Sequence, residues 1–328
     1  MMSFAEIRHR LWHGTVDHLD PPLLMITLAI MGIGLATVFS ATYDSQNRLM
    51  SQFINMAVAL TLMWGVAQLP PQKLMRFAVP LYVLGLILLV MVFLFGIKVN
   101  GARRWLNIGI VIQPSEITRI QPSEIMKLAM PLMLAWYFHK YEAALKFRHY
   151  AVAALLLIVP FGLVAKQPDL GTAILIGAAG FYVLFFAGLQ WKVMIGLAAA
   201  GAAAAPVLWT FLHDYQKKRI LTLIDPTTDP LGSGYHIIQA SIAIGSGGPT
   251  GKGWLQGTQT HLEFIPEKHT DFIFAVFSEE WGLIGVLLLL LLYAFIIGRS
   301  LWIASNAKDT YSRLLAGAIS MAFFVYVL

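Results

Sequence analysis

From Trp281 to Gly298 the chain reads WGLIGVLLLLLLYAFIIG, with no charged side chain. A run of this length and apolarity matches the ~20 residues a helix needs to cross a bilayer. Inside hydrocarbon every backbone N–H and C=O must be paired within the protein, so such a run is read as a helix. It is not alone. Apolar spans are expected at 22–41, 53–70, 76–96, 123–138, 150–165, 170–188, 193–213 and 272–297. The span at 123–138 is short and opens on charges, which suggests a tilted or partly re-entrant segment. A further apolar stretch runs from Tyr311 and stops at Leu328, and reads as a ninth span cut short. The expected fold class is all-α: a polytopic membrane helix bundle forming one integral membrane domain over 1–328, with a large extracytoplasmic loop at 214–271.

Composition narrows the chemistry. Only 12% of the residues are charged and 58% are hydrophobic, against about 25% charged in a soluble domain. The chain has no cysteine, which excludes disulfides, thiolate nucleophiles and cysteine metal sites. The net charge of +6 is spread over loops between spans rather than on one face, so it does not indicate nucleic-acid binding. The basic N-terminus lacks a signal-peptide core, and the first span serves as the insertion signal.

Orientation follows from short loops, whose Lys and Arg residues stay in the cytoplasm. With the N-terminus inside, inner segments hold Lys73, Arg76, Lys140, Lys146, Arg148, Lys192 and Arg299, while outer short loops hold only Arg48 and Lys166. The longer segments 97–127 and 214–271 then lie outside, and carry Lys98, Arg103, Arg104, Lys217, Lys218, Arg219 and Lys252. Two readings fit these cations: an anionic partner, or attraction to lipid phosphates.

Candidate chemistry gathers in GTQTHLEFIPEKHTDFIFAVFSEE, Gly257 to Glu280, which leads without a break into the apolar run. Asp271 stands where the outer loop meets the membrane helix. It could cap that helix, as could Thr270, or act as a general base on a hydroxyl. His261, Glu263, Glu267 and His269 form a loose polar set that matches no zinc motif. A magnesium or manganese ion held by one carboxylate and a substrate phosphate remains compatible with them.

Glu124 and Lys127 are spaced i,i+3 and share a helix face. They read as a structural salt bridge or as the lining of a polar cavity. Asp169 reads as the cap of the span that follows it. The Gly-rich GSGGPTGKG at 245–253 fails the phosphate-loop pattern, but its backbone amides could hold an anion. IQPSEI occurs at 112–117 and again at 120–125, a spacing that would put both copies on similar faces of one helix.

Taken in order, GARRWLNIG, QPSEI-x-K, KQPDLGT, GYHIIQASIAIGSGG and GKGWLQGTQTHLEFIPEKHTDFIFAVFSEEWGLIG resemble the SEDS family (shape, elongation, division and sporulation proteins) over essentially the whole chain. The resemblance implies a membrane protein of about ten helices. It also implies peptidoglycan glycosyltransferase activity, with lipid II polymerised on the outer face of the bacterial inner membrane. The family's catalytic Asp falls on Asp271, as base on the acceptor 4-hydroxyl, with inversion and loss of undecaprenyl pyrophosphate. The polar-cavity Glu and Lys fall on Glu124 and Lys127. The family carries one QPSE copy where this chain has two.

Electrostatics adds Arg103, Arg104, Lys217, Lys218 and Arg219 as partners for the pyrophosphate, and a divalent cation as a stabiliser of the leaving group. The implied partners are a class B penicillin-binding protein and other elongation-complex membrane proteins. Two other functions share these features: a flippase or transporter of lipid-linked precursors, and a scaffold that only recruits the transpeptidase.

Overall fold

In a computed structural model, the chain is described from residue 19 to 328 except for 43–45, 100–101, 114–115, 168, 213, 231 and 262–268. The helices are α1 (Pro21–Ala41), α2 (Gln46–Ala67), α3 (Pro71–Phe95), α4 (Pro122–Lys140), α5 (Phe147–Lys166), α6 (Leu170–Phe186), α7 (Trp191–Phe211), α8 (Asp214–Ile224), α9 (Ser233–Ser246), α10 (Thr258–His261), α11 (Ile273–Ser305) and α12 (Thr310–Val327). The described residues form the expected helical membrane fold, with one small sheet added to it. Six of the helices are long and apolar enough to cross a membrane: α1, α2, α3, α5, α11 and α12.

Local chemistry sets where helices start. Asp20 caps α1 by accepting from the Leu23 N–H at 3.0 Å. Asp309 caps α12 by accepting from the Ser312 N–H at 2.7 Å. Proline stands in the first turn of α1, α3 and α4, where its missing N–H costs nothing.

The helices group into two compact units, Met1–Gln68 with Ile195–Ile296, and Leu69–Met194 with Ile297–Leu328. In the second unit α4 is the enclosed element. Met126, Ala129, Met130, Leu134, Ala135 and Phe138 are buried among α3, α5, α6 and α12. The short span expected at 123–138 is unbroken in the structure. It is a continuous helix walled in by its neighbours, so it has less need of an apolar outer face.

A small antiparallel sheet precedes α4, with β1 (Ile97–Val99), β2 (Ala102–Gln113) and β3 (Glu116–Ile120) in the order β1-β2-β3. It corrects the expectation that the two IQPSEI copies share a helix. Ile112 and Gln113 end β2, and Glu116 and Ile117 open β3. In the second copy, Gln121 is the N-cap of α4 and Pro122 its first residue. The same residues take two structures because tertiary pairing overrides weak local propensity.

The first unit holds a second correction. The helix after Asp271 is not continuous: Gly282 takes φ 61, ψ −165 inside α11. The glycine-rich segment fills the break. Lys252 and Gly253 donate their N–H groups to the carbonyls of Glu279 and Glu280, each at 3.0 Å, and the N–H groups of Leu283 and Ile284 donate to Gly248 and Pro249 at 2.9 and 3.0 Å. A Cβ on Gly282 would stand 2.2 Å from the Gly251 nitrogen, and one on Gly251 would stand 2.1 Å from the Glu280 carbonyl oxygen. The amides of Lys252 and Gly253, which the sequence offered for an anion, are thus spent on a broken helix.

Candidate functional site

Asp271 lies in the turn before α11 and is exposed. No hydrogen bond or ion pair from the described residues engages its carboxylate. The first N–H of α11, that of Ile273, reaches the Thr270 carbonyl instead. Beside this turn, within the first unit, is a cavity of about 290 Å³. It is lined by Thr42, by Asn47, Arg48, Ser51, Gln52 and Asn55 of α2, and by His269 and Thr270. Arg48 donates from Nη1 to Nδ1 of His269 at 3.2 Å. Val38 and the carbon stems of these side chains give it apolar walls as well, while the amides, hydroxyls, imidazole and guanidinium supply donors for a polar or anionic group. Glu263 and Glu267 lie outside the described residues, as does the side chain of His261.

Two carboxylates that sequence reasoning passed over dominate the start of α11. Glu279 is fully buried and Glu280 nearly so. Oε1 of Glu279 accepts from Lys252 Nζ at 2.7 Å, from the Gln259 N–H at 2.9 Å and from the Thr258 hydroxyl at 3.2 Å. Oε1 of Glu280 accepts from the Ser40 hydroxyl of α1 and, at 3.2 Å, from the Leu255 N–H. Leu255 is held at φ 63, unusual for a residue other than glycine. Trp254 completes the junction by donating from Nε1 to the Ala36 carbonyl at 3.3 Å. Lys252, grouped above with cations for an anionic partner, is instead the counterion of Glu279. Adjacent glutamates entering an apolar helix demand partners, but the sequence does not say which residues supply them.

In the second unit, Lys127 Nζ is 2.6 Å from Glu124 Oε2 and 5.1 Å from the centre of the Tyr326 ring. Both charged residues line a cavity of about 360 Å³ whose other walls, Leu128, Pro131, Leu175, Ala179, Ile319 and Phe323 among them, are apolar. Asp169 does cap α6, with Oδ1 accepting from the Thr172 N–H at 3.3 Å. Its Oδ2 accepts from Gln121 Nε2 at 3.2 Å and lies 3.8 Å from Arg104 Nε. Asp169 therefore ties β2, the start of α4 and α6 to one carboxylate, and Arg104 has an internal counterion. Lys218 of α8, in the first unit, is paired with Asp229 at 3.0 Å. Lys217 is partly buried on the same helix. The side chains of Arg103 and Arg219 lie outside the described residues.

Helices that leave apolar side chains exposed along their length and bury their acids only with partners define a multi-pass membrane protein. A family model described as cell cycle protein, of the FtsW/RodA/SpoVE type, matches residues 21–328. The chain belongs to this family, which confirms the resemblance read from its motifs. It is 48% identical over 312 residues to the peptidoglycan glycosyltransferase MrdB of Escherichia coli K12, covering 94% of this chain and 82% of that one. It is 35% identical to the probable peptidoglycan glycosyltransferase FtsW of Thiomicrospira cyclica, covering 90% of this chain and 76% of that one.

Among solved structures, one chain of a peptidoglycan synthase complex superimposes with a TM-score of 0.76 at 30% identity, covering 94% of this chain and 84% of that chain. The rod shape determining protein RodA of Thermus thermophilus superimposes with a TM-score of 0.65 at 28% identity, covering 94% and 82%.

Proposed function

We propose that this chain is a peptidoglycan glycosyltransferase of the rod-shape branch of its family, polymerising lipid II at the outer face of the bacterial inner membrane. The observation that carries the site is Asp271: an exposed carboxylate without a partner among the described residues, in a turn whose His269 and Thr270 line a pocket shared with Arg48. Carboxylates that serve structure in this protein are hydrogen-bonded to described partners, whether buried like Glu279 and Asp169 or part-exposed like Asp20 and Asp309. Asp271 is not.

In the proposed reaction the acceptor's 4-hydroxyl oxygen attacks the anomeric carbon of the donor sugar. Its proton passes to the Asp271 carboxylate. The new C–O bond forms as the bond to phosphate breaks, and undecaprenyl pyrophosphate leaves with inversion. Arg48 and the amide and hydroxyl groups around it supply donors for sugar or phosphate oxygens. A divalent cation would neutralise the leaving pyrophosphate. Among the described residues no three His, Asp or Glu side chains converge on one point, so no protein cage is assigned to it.

The similarity to a chain of a peptidoglycan synthase complex supports a class B penicillin-binding protein as partner. Other elongation-complex membrane proteins belong to the same proposal, as does the orientation with a cytoplasmic N-terminus.

The deciding measurement is lipid II polymerisation by the purified protein with its penicillin-binding partner. Loss of a general base costs about 10²–10⁴-fold, so Asp271→Ala should leave little polymer while complex formation survives. Polymer made at the parent rate by Asp271→Ala would refute the assignment. Lipid II crossing liposome membranes without polymerising would favour a flippase instead.

A further inference from the structure

We propose that His236 is a positioning residue for Asp271, acting through the ring of Phe272; the proposal rests on the role of Asp271 argued above. Among the described residues Asp271 makes no hydrogen bond or ion pair that would fix it. Its placement is inherited from the backbone, and its C-terminal neighbour is Phe272. Phe272 is partly buried and packs against the cluster that Ala240 and Ala243 of α9 form with Ala275 of α11. Its ring also lies parallel to the imidazole of His236, with centroids 6.0 Å apart and planes 9° apart. Positions 236, 240 and 243 recur at helical spacing, so one face of α9 forms the seat for this one side chain. Two small alanines admit the ring and the imidazole closes over it, within the range of offset stacking.

What His236 supplies is a flat face against Phe272. Among the described residues its buried Nδ1 meets no hydrogen-bond partner, so the ring acts by its face and not by that nitrogen. Consecutive Cα atoms are about 3.8 Å apart across a trans peptide, so a shift of the Phe272 ring carries Asp271 with it. A misplacement of about 1 Å at a reacting group can cost on the order of a hundredfold in rate.

The test is lipid II polymerisation by the full chain with its penicillin-binding partner, comparing His236→Ala, His236→Phe, Phe272→Leu and Asp271→Ala. His236→Ala is expected to lower kcat about tenfold or more, with KM for lipid II and melting temperature near the parent values. His236→Phe keeps a ring on Phe272 and should recover most of the loss. Phe272→Leu keeps apolar volume without stacking and should repeat the His236→Ala defect, which preserves the test if His236→Ala does not fold. Parent kcat in His236→Ala, or in Phe272→Leu where His236→Ala fails to fold, overturns the proposal. So does a defect confined to KM, which would mark a substrate contact. Equal losses in the Ala and Phe variants also overturn it, since the imidazole would then act by its nitrogens. If Asp271→Ala stays active, the catalytic reading falls whatever His236 does; if only His236→Ala stays active, this inference alone falls.

Discussion

Asp271 and Glu279 stand on one stretch of chain in opposite surroundings, and substitution should treat them differently. Glu279 is buried with Lys252 as its counterion. Removing one partner of a buried pair costs about 3–5 kcal/mol because the other charge is stranded. Glu279→Ala should therefore lower the melting temperature in detergent, and pairing Glu279→Gln with Lys252→Met should restore much of it. Asp271→Ala should not move it, since no described group depends on that carboxylate. Asp169 lies between these cases. Asn caps about as well as Asp, so Asp169→Asn should keep α6 intact yet lose the charge opposite Arg104. Asp169→Ala should cost a further ~1 kcal/mol for the cap, measurable by thermal melting of the three proteins. Asp169 was legible in the sequence, because an Asp between two apolar spans has few uses. Glu279 was not, because its partners come from residues 252–259, and their folding back onto α11 is a tertiary event that local spacing does not report.

At the scale of elements, the break in α11 is the feature that spacing hid. Nothing in SEEWGLIG marks Gly282 as non-helical, since glycine inside an apolar helix is tolerated. The structure shows that its φ and its contact with Gly251 exclude a side chain. Such conformations cost about 1–3 kcal/mol for other residues, and the steric overlap adds to that. Gly282→Ala is therefore expected to abolish or sharply reduce folded protein, read from yield and gel filtration, whereas Gly298→Ala, where a Cβ meets nothing within 4 Å, should be silent.

The turn between α4 and α5 carries a pH dependence of known sign. The Thr310 hydroxyl, with His139 and Arg313, holds the Glu142 carboxyl below its ordinary value. A carboxylate lowered in the folded state stabilises above its unfolded pKa and loses that contribution as pH falls through its folded value. Melting temperature should thus fall more steeply on acidification in the parent than in Glu142→Gln. The difference should be small, because Glu142 is exposed and screened. The apolar helices were readable in place because hydrocarbon demands length, although α2 begins at Gln46 rather than at 53 and α11 runs on to Ser305 rather than ending at 297. The β1-β2-β3 sheet was not, because its strands pair across a duplicated segment whose local signal is the same in both copies.

For the whole molecule, the claim most open to a direct check is orientation. These 328 residues contain no cysteine, so single cysteines placed in them report without background. Ala143→Cys, between α4 and α5, should react with a membrane-impermeant maleimide only after the inner membrane is opened. Thr227→Cys, between α8 and α9, should react in spheroplasts. The reverse pattern would invert the topology and move Asp271 to the cytoplasmic side.

Orientation also gives the split helix a meaning in depth. Unbroken, the 33 residues of α11 would rise roughly 50 Å at about 1.5 Å per residue, well beyond a hydrocarbon layer of about 30 Å. The part from 283 to 305 rises roughly 35 Å by itself, enough for the crossing. The two turns before Gly282 are thus relieved of spanning. Under the proposed orientation they stand as a plinth at the membrane's edge, where the proposed base Asp271 would meet a sugar in water while the sugar's lipid stays in oil.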